Sequence, residues 1–200
     1  MRLRVLWLSV SALLIAAACL YKVTRTYDRA QADGRMRRCV APAFPAPLLN
    51  QHLQPRRLKA FLGRRRILIV FYDGEKGAEA DGVLVRLRDD YDRLKANRVI
   101  VLGISTATPQ QNRPPPKGIA FRHPNSPETP FPFDLLTDLP LRESGPKHRV
   151  HRQWGRLDST NGRTRPGVFL IARDQTVACD GGKPVPVEDA DAAIDELLKN

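Results

Sequence analysis

The chain has 200 residues, 42% hydrophobic and 27% charged, with a formal net charge of +12. That apolar share can bury a core, which excludes a chain disordered throughout. The charge is lopsided: residues 1–66 hold 14 Lys/Arg against 2 Asp/Glu, and residues 67–200 hold 19 of each. A nucleic-acid-binding domain carries its charge on the folded surface. The neutral second part therefore argues against one, and the basic entry segment suits anionic lipid headgroups. RNA binding by that arm is the minor alternative.

Arg2 and Arg4 precede an uncharged apolar run, Val5 to Tyr21, that ends in small residues. This order describes a secretory signal or an uncleaved anchor over residues 1–21. Ala17-Ala18-Cys19 also resembles a bacterial lipobox, with Cys19 as the lipidated residue. The retained anchor, with Cys19 as a small hydrophobe in lipid, is the preferred reading. Lys22, Arg25, Arg29, Arg35, Arg37 and Arg38 follow the run and outnumber the arginines before it, which by the positive-inside rule favours a cytoplasmic domain. The signal-like order of regions favours export, so an extracytoplasmic, membrane-associated domain is expected.

Residues 22–40 read as a basic tether, and Ala41 to Pro47 as a proline-stiffened entry to a domain over residues 41–200. Leu58 to Leu62 fits a helical turn closed by Gly63. Ile67 to Tyr72 is a continuous β-branched and aromatic run, the pattern of a strand buried on both faces. After a glycine-containing loop, Val83, Leu84, Leu87, Tyr91 and Leu94 mark an amphipathic helix over 81–96. Val99 to Ile104 is a second buried strand, so the three elements make a right-handed crossover. Pro109 to Pro130 is a loop with seven prolines, an irregular insertion in preference to a proline-rich docking motif. Phe133 to Leu136 is apolar and ends at Thr137-Asp138. His148 to Trp154 suits a short helix stopped at Gly155. Val168 to Ala172 is a third strand, turning at Asp174-Gln175 into Thr176 to Cys179. Glu188 to Leu198 is a closing helix. The order predicts an α/β fold with a central sheet flanked by helices.

With these motifs, the chain resembles the alkyl hydroperoxide reductase C / thiol-specific antioxidant family, the peroxiredoxins. Ala41-Pro42-Ala43-Phe44 is similar to the family's A-P-x-F entry. Leu58 to Arg64 followed by Ile67 to Tyr72 is similar to its L-x-D-F-x-G-K segment and first central strand. Leu87-Arg88-Asp89 resembles its L-R-D helix, and Leu102 to Thr106 its L-G-I-S-x-D strand end. Phe131 to Asp138 resembles F-P-L-L-S-D, Gln153-Trp154-Gly155 resembles Y-G-V, and Phe169-Leu170-Ile171 with Asp174 resembles F-L-I-D-x-x-G. The resemblance implies a thioredoxin-like fold with a central mixed sheet, from about Ala41 to Val177.

It also implies thiol chemistry, in which a cysteine thiolate attacks a peroxide at a helix N-terminus beside a threonine and an arginine. Counted without gaps from Phe71, the family's Pro, Thr and Cys fall on Asp73, Gly77 and Ala80, and residues 40–178 contain no cysteine. The family arginine falls on Pro166, with Arg165 one earlier. Proline there resembles the cis-proline of thioredoxins, or else only shapes a turn. Asp81 or Glu79 is expected to favour a helix dipole. A metal site from Asp73, Glu75, Glu79 and Asp81 fits no recognised ligand spacing.

Cys39 and Cys179 are the remaining thiols; they pair as a disulfide or serve in redox chemistry. His52, His123, His148 and His151 form no metal motif, and the last two are expected to be exposed. No cofactor or metal is expected, and the oligomeric state is open. The preferred function is an anchored, non-catalytic peroxiredoxin-like module that binds or scaffolds a protein partner. The alternatives are a thiol peroxidase using Cys39 or Cys179, and a basic-arm adaptor for lipid or nucleic acid.

Overall fold

In the computed structural model, which describes residues 37–115, 125–139, 147–158 and 160–199, each β-branched run is a strand. The strands are β1 (Arg37–Val40), β2 (Leu48–Asn50), β3 (Pro55–Arg56), β4 (Arg66–Phe71), β5 (Val99–Ser105), β6 (Asp134–Thr137), β7 (Gly167–Ile171), β8 (Thr176–Asp180) and β9 (Lys183–Pro184). The α-helices are α1 (Gly82–Asp89), α2 (Tyr91–Ala96), α3 (Arg149–Gln153) and α4 (Ala190–Lys199). The leader with Cys19, most of the basic tether and His123 lie outside the described residues, as does part of the proline-rich loop. No helix among the described residues is long and apolar enough to cross a membrane.

The central sheet is mixed, with strand order β3-β2-β6-β5-β4-β7. Strand β4 is parallel to β5 and antiparallel to β7, and β5 is parallel to β6. The continuous apolar run of β4 follows from its central place. Ile67, Ile69 and Phe71 face one core with Trp154, Phe169 and Val150. Leu68, Val70 and Tyr72 face the other, with Leu84, Leu87 and Leu94 from α1–α2 and Ile194 and Leu197 from α4. Alternate side chains thus enter opposite layers, and both must be apolar. This is the α/β fold expected, a central mixed sheet flanked by helices.

Three local expectations are corrected. The helix over 81–96 is broken at Asp90, whose backbone (φ −93°, ψ 9°) leaves the helical region. Aspartate is a poor interior helix residue, and the Asp90 carboxylate binds Arg93 at 3.0 Å and Arg86 at 3.9 Å. The chain turns at Asp174-Gln175 as expected for a β-hairpin, the Ala172 amide donating to the Thr176 carbonyl at 2.9 Å, but the hairpin's second strand leaves the central sheet: β8 lies between β1 and β9 in a second, three-stranded sheet. Finally, Arg37–Val40 is a strand, so regular structure starts ahead of the Ala41 entry.

Candidate functional site

Strand β4 and its parallel neighbours end at one edge of the sheet, the edge where ligands and reacting groups collect in open α/β folds. The loop 73–81 leaves β4 there. The Asp73 carbonyl accepts from Lys76 N–H at 3.2 Å and Gly77 N–H at 3.0 Å, and its carboxylate accepts from Glu75 N–H at 2.9 Å. Gly77 has φ +83°, and a Cβ there would collide with the backbone oxygen of Asn125. The Asn125 side-chain amide also donates to the Glu75 carbonyl. This backbone-against-backbone seat requires glycine.

Ala80 sits exposed at the end of a short 3-10 turn, Ala78–Ala80, directly before α1. Asp81 caps α1, its carboxylate accepting from Leu84 N–H at 3.0 Å. Burial pushes the Asp81 carboxyl above the usual range, against hydrogen bonds from the Leu84 and Val83 amides. Glu79 pairs with Arg88 of α1 at 2.7 Å. Arg88 also donates to Thr129 at 2.9 Å and lies 5.0 Å from the Phe131 ring centre. The helix N-terminus and its nearest arginine are therefore both matched by carboxylates, and the position between them carries a methyl group. Asp81→Ala is expected to cost about 1 kcal/mol, the usual value of such a cap, read as a lower urea midpoint with an unchanged slope.

Arg165 is turned elsewhere, pairing with Asp158 at 2.6 Å. That hydrogen bond, with those from the Thr160 and Asn161 amides, holds the Asp158 carboxyl at about 2. Pro166 is trans, since no described peptide bond is cis; the cis-proline expectation is corrected. Its carbonyl accepts from Arg156 at 3.2 Å, and Arg156 lies 5.7 Å from the Phe169 ring centre. Pro166 and Arg165 thus shape the approach to β7.

Cys39 and Cys179 are joined as a disulfide, with Cα atoms 5.9 Å apart. It ties the edge strand β1 to the central strand β8 of the second sheet, and Cys179 is 3% exposed within an apolar core. The thiols so joined belong to a different sheet from the 73–81 loop.

A buried polar cluster at the same sheet edge was not anticipated. Tyr72 donates to Asn112 at 2.7 Å, and Thr137 donates to the Ala107 carbonyl at 2.8 Å. Burial pushes the Tyr72 hydroxyl up, against hydrogen bonds to Ser105 and Asn112. At the end of β6, Asp138 accepts from His151 Nδ1 at 2.7 Å and from the His151 backbone N–H at 2.8 Å. A carboxylate only accepts, so the ring carries its proton on Nδ1. His151 was expected to be exposed and is fully buried, its ring 5.0 Å from that of Phe71. The signal was available in the spacing: 150, 151 and 154 share one helix face, and Val150 and Trp154 are core residues. His148 lies just before α3 and is half-buried.

The family model for the AhpC/TSA family matches residues 38–179. The chain belongs to that family. The fold is similar to that of thioredoxin peroxidase I of Plasmodium yoelii, at 17% identity and TM-score 0.57, covering 81% of this chain and 86% of that one. It is also similar to peroxidoxin BcpB of Mycobacterium tuberculosis, at 20% identity and TM-score 0.52, covering 80% and 92%. No curated protein matches the sequence. Among AhpC/TSA domains, this one presents a thioredoxin-like scaffold whose 73–81 loop contains no thiol.

Proposed function

We propose that this AhpC/TSA domain has lost peroxidase chemistry and serves as a binding or scaffold module. In this reading its N-terminal segment tethers it to a membrane on the extracytoplasmic side, where it meets a protein partner. The observation that carries the reading is Ala80. The reaction needs a thiolate at the start of α1, and the side chain there is a methyl group facing solvent. Asp81 already caps that helix and Glu79 already occupies Arg88. Both would oppose a thiolate introduced at this point.

The disulfide supports a second reading, a thiol oxidoreductase cycling between Cys39 and Cys179. In that cycle one thiolate attacks a hydroperoxide and releases an alcohol or water. The resulting sulfenic acid condenses with the second thiol, losing water, and an external dithiol reductant restores both thiols. The apolar setting of Cys179 disfavours the thiolate that such a cycle requires.

The test is a single-turnover reaction of the reduced full chain with hydrogen peroxide, with each cysteine followed by mass spectrometry. Oxidation within about tenfold of a free thiol is the expected result. Fast, saturable oxidation mapped to Cys39 or Cys179 would overturn the non-catalytic reading. An Ala80→Cys variant is expected to react no faster than about tenfold above a free thiol. A rate orders of magnitude higher would mean that the loop still activates a thiol and that only the cysteine was lost.

A further inference from the structure

A groove of about 600 Å³ opens beside the central sheet, and Phe131 in its lining meets Arg88, the partner of Glu79 in the 73–81 loop. It lies where β5 begins, beside the segment that leads into β4 and the start of β6. Its apolar wall is formed by Phe61, Tyr91, Ile100 and Phe133, with the Tyr91 and Phe133 ring centres 5.8 Å apart. Arg64, Arg65 and Lys95 line the same groove, all exposed. None of these three makes an ion pair among the described residues. The acid in the groove is already satisfied: Asp134 accepts from Arg56 at 2.6 Å and from the Asn50 amide at 2.6 Å. Burial first, and then the nearby Asp134 and Asp92 carboxylates, push the Tyr91 hydroxyl up, with Arg65 acting against them, so this wall is partly withdrawn from water.

Three exposed cations thus stand beside the half-buried rings of Phe61 and Tyr91. The volume is that of a small-molecule site. Aromatic walls favour an aromatic guest, and arginine forks match phosphate and carboxylate oxygens. We infer that the groove binds a small aromatic anion, its ring against Phe61, Tyr91 and Phe133 and its phosphate or carboxylate held by Arg64, Arg65 and Lys95. This site is independent of whether the 73–81 loop is catalytic.

The test is equilibrium dialysis of 1-naphthyl phosphate against the full chain in phosphatidylcholine nanodiscs, with empty nanodiscs as the blank. Saturable binding of one probe per chain is expected. It should weaken by about tenfold or more in an Arg65→Gln/Lys95→Gln variant, the scale of losing charge-assisted hydrogen bonds. Neutral 1-naphthol should bind at least about tenfold more weakly, and inorganic phosphate should compete poorly, because each lacks half of the recognised chemistry. Arg64→Gln, a separate exposed change, should repeat the loss if the double variant is unfolded by circular dichroism. Absence of saturable binding at millimolar probe would overturn the inference. Binding unchanged in both variants would also overturn it. Equal binding of inorganic phosphate would reduce the groove to an unselective anion patch.

Discussion

Replacing Asp138 by alanine is expected to lower the unfolding free energy by about 3–5 kcal/mol at neutral pH. Asp138 is 3% exposed and His151 fully buried. The carboxylate accepts from both the ring and the backbone of His151. Removing it leaves the Nδ1–H and an amide N–H without partners in an apolar core, and each such orphan costs about 1–3 kcal/mol. The pH dependence has a definite sign. Burial pushes the Asp138 carboxyl up, but the His151 ring and amide hydrogen bonds, the attraction of His151 and the Val150 amide outweigh it and hold the carboxyl below the usual range. A depressed carboxyl contributes stability above its unfolded pKa, and that stability is lost as pH falls through the folded value. Urea midpoints of wild type and Asp138→Ala should therefore differ most at neutral pH, and the gap should narrow as pH falls below about 4. A constant gap from pH 7 to pH 3 would show that the loss is one of packing alone.

The second large effect is expected from the Cys39–Cys179 bond, which closes a loop of sequence separation 140. Restricting so long a loop in the unfolded chain is worth about 2–5 kcal/mol. A Cys39→Ser/Cys179→Ser variant, or the reduced wild type, should show that loss as a lower guanidinium midpoint. The native strands give the bond its geometry, since β1 and β8 are sheet neighbours and bring the two Cα atoms to 5.9 Å. Because Cys179 packs in the same core cluster as Trp154 and Phe169, part of the cost will come from lost packing. Reduction of the wild type separates the two terms, since it opens the bond without removing a side-chain atom of size. Equal stability of the oxidised and reduced wild type would mean that the bond constrains little, which would favour a redox use for it.

On the proposed reading, a 73–81 loop without a thiol and a groove beside the same sheet belong to a fold used for binding. Scaffold and site are separable in this way because core packing sustains the fold, while the site depends on a few loop positions.

Much of the scaffold was legible because local pattern and tertiary role coincide. The uninterrupted apolar runs of β4 and β5 admit only a strand covered on both faces. The three-and-four spacing in α1 and α2 marks the face that meets the sheet. The emptiness of the 73–81 loop was legible too, since a missing cysteine is a covalent fact that no packing can supply. The short strands were not. Leu48–Asn50 and Asp134–Thr137 hold too few residues to show a period, and they are strands because neighbouring strands of the sheet pair with their backbone groups.

Tertiary structure alone decided three things. It supplied the partners, Asp138 and Phe71, of a His151 that the helical spacing already puts on the core face, and a buried polar residue needs such partners. It carried β8 away from the central sheet to meet β1, and so paired Cys39 with Cys179. It also brought Phe61, the Tyr91–Lys95 face of α2 and Phe133, distant in sequence, around one groove. Contacts of that range depend on how whole layers dock, whereas composition and periodicity report only what each segment must bury.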